Sequence, residues 1–152
     1  MQTVETPLDQ HLEQIIQAIL DRLEAARQAG GALSDVLHIV RGDRVRTSKV
    51  RPPSLWVFPS PDNIESAGGT TNVHKIEYII VALVSNTDPE EGQKAANNLA
   101  ARAYTVLLED RLLGNTVHDF KPARFDQSYG DQLSENTFAA AAVFNAIVRR
   151  RE

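Results

Sequence analysis

The sequence predicts an α+β fold, a mixed or antiparallel sheet flanked by two helices in the order α-β-β-β-α-β-β. Three observations predict it. Residues 8–29 and 90–109 carry apolar side chains at three- and four-residue spacing. Five other segments alternate, or are apolar on both faces, between stretches rich in turn residues. The helices also do not alternate regularly with the strands: one precedes three strands, and the other separates those three from two more. With 152 residues the chain suits one domain, residues 1–152.

In the first helix, residues 8–29, Leu8, Leu12, Ile15, Ile16, Ile19, Leu23 and Ala26 share one face. Thr6 is placed to cap it, with Pro7 at the first helical position and Asp9 at the third. Gly30 or Gly31 ends it with a positive φ. DVLHIV, residues 35–40, is a short strand. RGDRVRTSKVRPP, residues 41–53, is basic and closed by two prolines, so it reads as a flexible loop or extended arm. SLWVF, residues 54–58, is the next strand, closed by Pro59 and Pro61. A second flexible loop is expected at about 60–71.

The strand at 73–85 alternates first, with His74, Ile76 and Tyr78 on one face and Lys75 and Glu77 on the other. From Ile79 to Val84 both faces are apolar, which places it centrally. The second helix, residues 90–109, would bury Ala95, Leu99, Arg102 or Ala103, Val106 and Leu107. Residues 116–127 are extended and broken by Pro122, which suits a sheet edge or a bulge. For the segment from Thr137 to Arg150, alanine content favours helix. Phe138, Phe144 and Val148 fit period two as well as period four. The preceding turn and the need to complete the sheet favour strand.

Composition excludes several classes of chemistry. Without cysteine there are no disulfides, no thiol catalysis and no Cys-based zinc site. A formal net charge of −4 is not the balance of a nucleic-acid binder. The N-terminus has no cationic stretch followed by an apolar run, and the apolar runs at 79–84 and 138–144 are too short to span a bilayer. The expectation is a soluble chain made in the cytoplasm, with no membrane partner.

Candidate sites are few. The junction from Asn86 to Glu91 resembles a phosphate or metal corner, but Asp88, Pro89 and Glu91 fit a capping box: Asp88 as N-cap, Pro89 at N1, Glu91 at N3. Acids at that end of a helix repel phosphate, so the corner reads as structural. SAGGTTN, residues 66–72, lacks the spacing of a nucleotide cradle, and RGD is a chance tripeptide in a chain with no secretion signal. His11, His38, His74 and His118 have no metal-ligand spacing, and there is no GxSxG elbow. No catalytic residue, cofactor or metal is expected. The basic segment stands out: Arg41, Arg44, Arg46, Lys49 and Arg51 against Asp43 give +4 in eleven residues, while the remainder carries −8. It reads either as a solvated loop or as an arm that docks on an acidic surface or meets phosphates. Trp56, the one tryptophan, fits core or interface.

The leading helix, the long basic loop, then YIIVALVSNTDPEEGQKAANNLAARAYTVLL, FKPARFDQSY and a closing apolar segment together resemble the tail terminator (tail-completion) proteins of long-tailed bacteriophages, over residues 8–148. The basic segment and the alanine-rich close are not features of that pattern. The resemblance implies a virion structural protein with no enzymatic activity. It implies a homo-oligomer, usually a hexameric ring, that caps the tail tube, ends tube polymerisation and joins the tail to a head-tail connector protein. The partners would be the tail tube protein, the connector and DNA passing through the channel without sequence-specific binding. The location would be the tail or neck of a virion made in the host cytoplasm. Arg41, Arg44, Arg46, Lys49, Arg51 and Trp56 would then form an assembly interface. Two other readings compete: a small cytosolic α+β ligand-binding or enzymatic domain, which predicts a deep polar cavity, and a nucleic-acid-associated regulator, which predicts salt-dependent DNA binding.

Overall fold

The computed structural model describes residues 6–43, 50–127 and 136–152. The elements run α1 (Leu8–Ala26), β1 (His38–Arg41), β2 (Ser54–Ser66), β3 (Thr71–Ser85), α2 (Pro89–Leu108), β4 (Asp119–Asp126) and β5 (Thr137–Arg151). This is the predicted order. The strands form one five-stranded sheet in the spatial order β1-β2-β3-β5-β4. Only β1 and β2 are parallel, so the sheet is mixed.

β3 lies at the centre, paired with β2 on one side and β5 on the other. Its apolar run faces both ways, as its sequence predicts. Ile76, Tyr78, Ile80 and Ala82 join Ile15, Ile19 and Leu23 of α1 and Leu99, Ala103 and Leu107 of α2 in the main core. The other parity, Ile79, Val81 and Leu83, packs with Trp56, Ala139 and Ala141 in a second cluster. β5 is a strand despite its alanines, because pairing along the whole of β3 overrides helix propensity.

Several boundaries depart from the sequence reading. Pro7, not Thr6, holds the N-cap position of α1, and no side chain caps it; the Thr6 carbonyl instead accepts from Arg150. α1 ends at Ala26, since Gln28 and Ala29 are exposed and add nothing to its apolar face. Gly30, at φ +83°, makes the turn, and Leu33 N–H donates to the Ala26 carbonyl at 2.9 Å. β1 begins at His38 rather than Asp35 and includes Arg41, so the basic segment starts inside the sheet.

The loop expected at about 60–71 is mostly strand. β2 continues through Pro59 and Pro61 to Ser66, and a short turn with Gly68 and Gly69 at positive φ leads into β3. The prolines do not end β2 because β1 pairs only with Ser54 to Val57. Beyond that point β2 is an edge strand, where a missing N–H costs little, and a bulge between Pro59 and Asp62 absorbs the irregularity.

The buried face of α2 is Gly92, Ala96, Leu99, Ala100, Ala103, Val106 and Leu107. It is rotated from the expected stripe: Ala96 replaces Ala95. Arg102 lies outside it, bonded to Asp35 at 2.6 and 3.0 Å. β4 begins at Asp119, after a turn that buries Leu113, and Pro122 falls at an edge-strand bulge, as its sequence suggests. No described helix is long and apolar enough to cross a membrane.

Candidate functional site

The corner before α2 is built as a cap. Asp88 is extended, and its carboxylate accepts from Glu90 N–H at 3.0 Å. Pro89 is the first helical residue, and Gly92 N–H donates to the Asp88 carbonyl at 2.8 Å. The reciprocal half of the expected capping box is absent. Asp88 N–H donates to Asn86 Oδ1 at 2.9 Å, and Glu91 pairs with Lys94 at 3.8 Å. A turn formed by Asn86 thus takes the place assigned to Glu91. Asp88→Ala is expected to lower stability by about 0.5–2 kcal/mol in urea unfolding and to change nothing else. Loss of Mg²⁺ or phosphate binding in that variant would contradict a purely structural corner.

The basic segment is partly visible. Arg41, at the end of β1, donates to Glu13 of α1 at 2.6 Å and to Asp43 at 2.8 Å. The bond to Glu13 is the main reason its pKa is raised further still. Arg51 is exposed and makes no ion pair among the described residues. Arg44, Arg46 and Lys49 lie outside the described residues. Trp56 is buried within this subunit: it is 1% exposed, donates from Nε1 to Ser54 Oγ at 2.9 Å and stacks on Phe58 at 6.3 Å. Its alternation in β2 sends it to the sheet face opposite the helices, where it anchors the second cluster.

A buried polar network that sequence spacing does not reveal lies on the helix side of the sheet. His74 of β3 is fully buried, with Nδ1 2.6 Å from Asp62 Oδ2 and Nε2 bonded to Glu152 Oε1. Carboxylates on both ring nitrogens require both N–H groups, so the arrangement is that of an imidazolium. Burial alone pushes the pKa of His74 down, but the bonds to Asp62 and Glu152 together outweigh it and the net shift is upward. The bond from His74 in turn holds the Glu152 carboxyl below its usual range. Beside Glu152, Arg150 is 4% exposed and donates to His11 Nδ1 at 2.6 Å and to the Thr6 carbonyl. His11 Nδ1 is therefore an acceptor, and its Nε2–H donates to the Thr116 carbonyl at 2.8 Å.

A cleft of about 380 Å³ opens between α1 and the β2 bulge, in front of this network. Leu12, Glu13, Arg41, Asp62 and Tyr78 are among the residues that line it. Tyr78 is 1% exposed, and its hydroxyl has no hydrogen bond among the described residues. Burial, then the charge of Asp62, raises its pKa. Asp62 Oδ1 is likewise buried without a partner. Two larger clefts, about 560 and 570 Å³, are lined in part by side chains already engaged. In the first, Arg124 pairs with Glu77 at 3.2 Å; in the second, His11 is bonded as above and His118 Nδ1 accepts from Arg149 N–H at 3.1 Å. Among the described residues no group of three or more His, Asp or Glu could hold a metal ion.

Part of the network had a signal in the sequence. His74 shares the parity of Ile76 and Tyr78, and Arg150 that of Val148 and Phe144, so each is a charge-capable group at a core-facing position. Their partners had none, since Asp62 and Glu152 lie 12 and 78 residues from His74. Compared with models of protein families and with curated proteins, the chain matches none.

Proposed function

We propose that the chain is a virion structural protein of the tail-terminator kind. Copies form a ring, six-fold by the resemblance, that caps the tail tube, stops its growth and offers a surface to the head-tail connector protein. The protein is made in the host cytoplasm and resides in the tail or neck, with DNA passing through the ring unread.

The observation that supports this reading most is the segregation of charge. The eleven residues from Arg41 carry +4, while the rest of the chain carries −8. Such a segment cannot enter an apolar core, because desolvating each cation costs several kcal/mol. Its root is fixed by Arg41, which ties β1, an edge strand, to Glu13 of α1. In a ring every subunit boundary is heterologous, so one surface patch meets a different one on the next copy. A cationic patch leaving a sheet edge, on an otherwise acidic chain, suits that requirement. Charges of this kind set register and association rate more than affinity.

The test is capping of purified tail tubes, followed by electron microscopy. The triple variant Arg44→Glu, Arg46→Glu, Lys49→Glu is expected to fold as the wild type does and to cap about tenfold more slowly or not at all, with the larger defect at low salt. Capping by the variant at the wild-type rate across all salt concentrations would remove the segment from assembly. A wild-type chain that never caps tubes would remove the ring.

A further inference from the structure

We propose that the cleft between the start of α1 and the turn joining α2 to β4 binds a phosphate monoester that carries a small apolar body. The site lies within one subunit and is independent of the ring.

Charge singles this cleft out. It is about 570 Å³, and Gln14 of α1, Asn115 and His118 of the turn, and Arg149 of β5 are among its lining residues. No carboxylate lines it among the described residues, although the chain has 20 acidic residues against 16 Lys and Arg. Two acids of the flanking segments are engaged elsewhere: Asp110 accepts from Gly114 N–H at 3.0 Å, and Asp119 pairs with Arg111 at 3.1 Å. A second cation stands behind the wall. Arg150, 4% exposed, donates to His11 Nδ1 and to the Thr6 carbonyl, and His11 and Thr6 both line the cleft. The Arg150 Nε is buried without a hydrogen bond, and the Glu152 carboxylate lies 3.8 Å from it.

The donors of the cleft are also unused. His118 Nδ1 accepts from Arg149 N–H at 3.1 Å, so the ring proton sits on Nε2, which has no acceptor among the described residues. The exposed Arg149 guanidinium makes no ion pair, and the side-chain amides of Gln14 and Asn115 have no partner among the described residues. Lys75 is an equally unpaired cation, but the cleft it lines, about 170 Å³, contains Glu65. Arg149 differs in having further free donors beside it and no acid.

These donors define the ligand. They come from three segments of the chain, and a tetrahedral phosphate monoester presents three terminal oxygens to them where a planar carboxylate presents two. A guanidinium suits phosphate in particular, through paired N–H donors in a fixed fork. Leu112, 44% exposed, gives the same cleft an apolar wall. Bare phosphate would fill a small part of the space and leave that wall wet, so the phosphate is attached to an apolar group.

The test is calorimetric titration of phenyl phosphate into the full chain at low ionic strength, with inorganic phosphate and benzoate as comparisons. Saturable binding of phenyl phosphate is expected, tighter than that of either comparison. Arg149→Gln is expected to weaken it at least about tenfold, through loss of a charge-assisted hydrogen bond. Lys75→Gln removes the same charge outside the cleft and should leave binding within about twofold of wild type. Leu112→Ser should narrow the preference for phenyl phosphate over inorganic phosphate. Arg149, Lys75 and Leu112 are exposed, so the variants are expected to fold. Gln14→Ala, on a different element, supplies a second measurement with the same direction as Arg149→Gln. Absence of saturable binding at about 10 mM phenyl phosphate overturns the site. Equal losses from Lys75→Gln and Arg149→Gln also overturn it, since the attraction is then one of overall charge. Benzoate bound as tightly as phenyl phosphate overturns the phosphate, and inorganic phosphate bound as tightly overturns the apolar body.

Discussion

His74→Ala is expected to lower the unfolding free energy by about 2–4 kcal/mol and to remove the fall in stability expected of the wild type as pH rises through the raised pKa of His74. The magnitude comes from two sources. A buried ring is lost, and two carboxylates that it neutralises lose their partner; Asp62 and Glu152 are partly open to water, at 15% and 29% side-chain exposure, which holds the cost below that of a sealed ion pair. The pH dependence follows from the direction of the shift. His74 has a higher pKa folded than unfolded, so its contribution is fully present below the unfolded value of about 6.5 and is lost as pH rises through the folded value. Glu152 works the other way: its lowered pKa stabilises above the unfolded value and is lost as pH falls through the folded one. The groups facing His74 are Asp62 from β2 and Glu152 after β5, with Arg150 beside Glu152 and His11 of α1 beyond. Urea unfolding between about pH 6 and 9, followed by the fluorescence of buried Trp56, measures both effects. Parallel stability curves for wild type and variant would show that His74 carries no charge in the folded chain.

What the sequence made legible was whatever depends on short-range pattern. The run from Ile79 to Val84 could be placed at the sheet centre because a strand apolar at both parities needs cover on both faces. Pro122 could be assigned to an edge or bulge because its missing N–H excludes a central ladder. The failures share a cause. Pro59 and Pro61 were read as the end of a strand, since nothing local tells that β1 stops pairing at Val57 and leaves β2 an edge there. Glu91 was read as the partner of the Asp88 N–H, but Asn86 is closer in the chain and takes the bond. Trp56 was left between core and interface, and the choice is made by Val81 and Ala141, which belong to other strands. The polar network was the least legible of all. Its parity signal named His74 and Arg150 as anomalies, but only the fold brings Asp62, Glu152 and His11 to them.

Ala142→Leu is expected to cost about 2–3 kcal/mol or more, against the usual gain from a larger apolar side chain. Ala140, Ala142 and Ala146 of β5 are wholly buried on the face that meets α2, and α2 answers with Gly92, Ala96, Ala100 and Ala103. Small residues on both sides let the helix lie close to the sheet. At Gly92 the approach is close enough that a Cβ would fall 2.3 Å from Cδ2 of Phe138, at the start of β5. Three added carbons at Ala142 therefore have no space to enter, and α2 must lift. Lifting it would strip Leu99 and Leu107 of their contacts in the main core. Gly92→Ala probes the same seam from the other side. Alanine at a helical position ordinarily stabilises by roughly 0.5–1 kcal/mol relative to glycine, and here the sign should reverse because the Phe138 ring must turn aside. Denaturant midpoints with unchanged slopes measure both substitutions. If Ala142→Leu shifts stability by less than about 0.5 kcal/mol, or Gly92→Ala raises it, the helix does not pack on β5 as closely as its small residues imply.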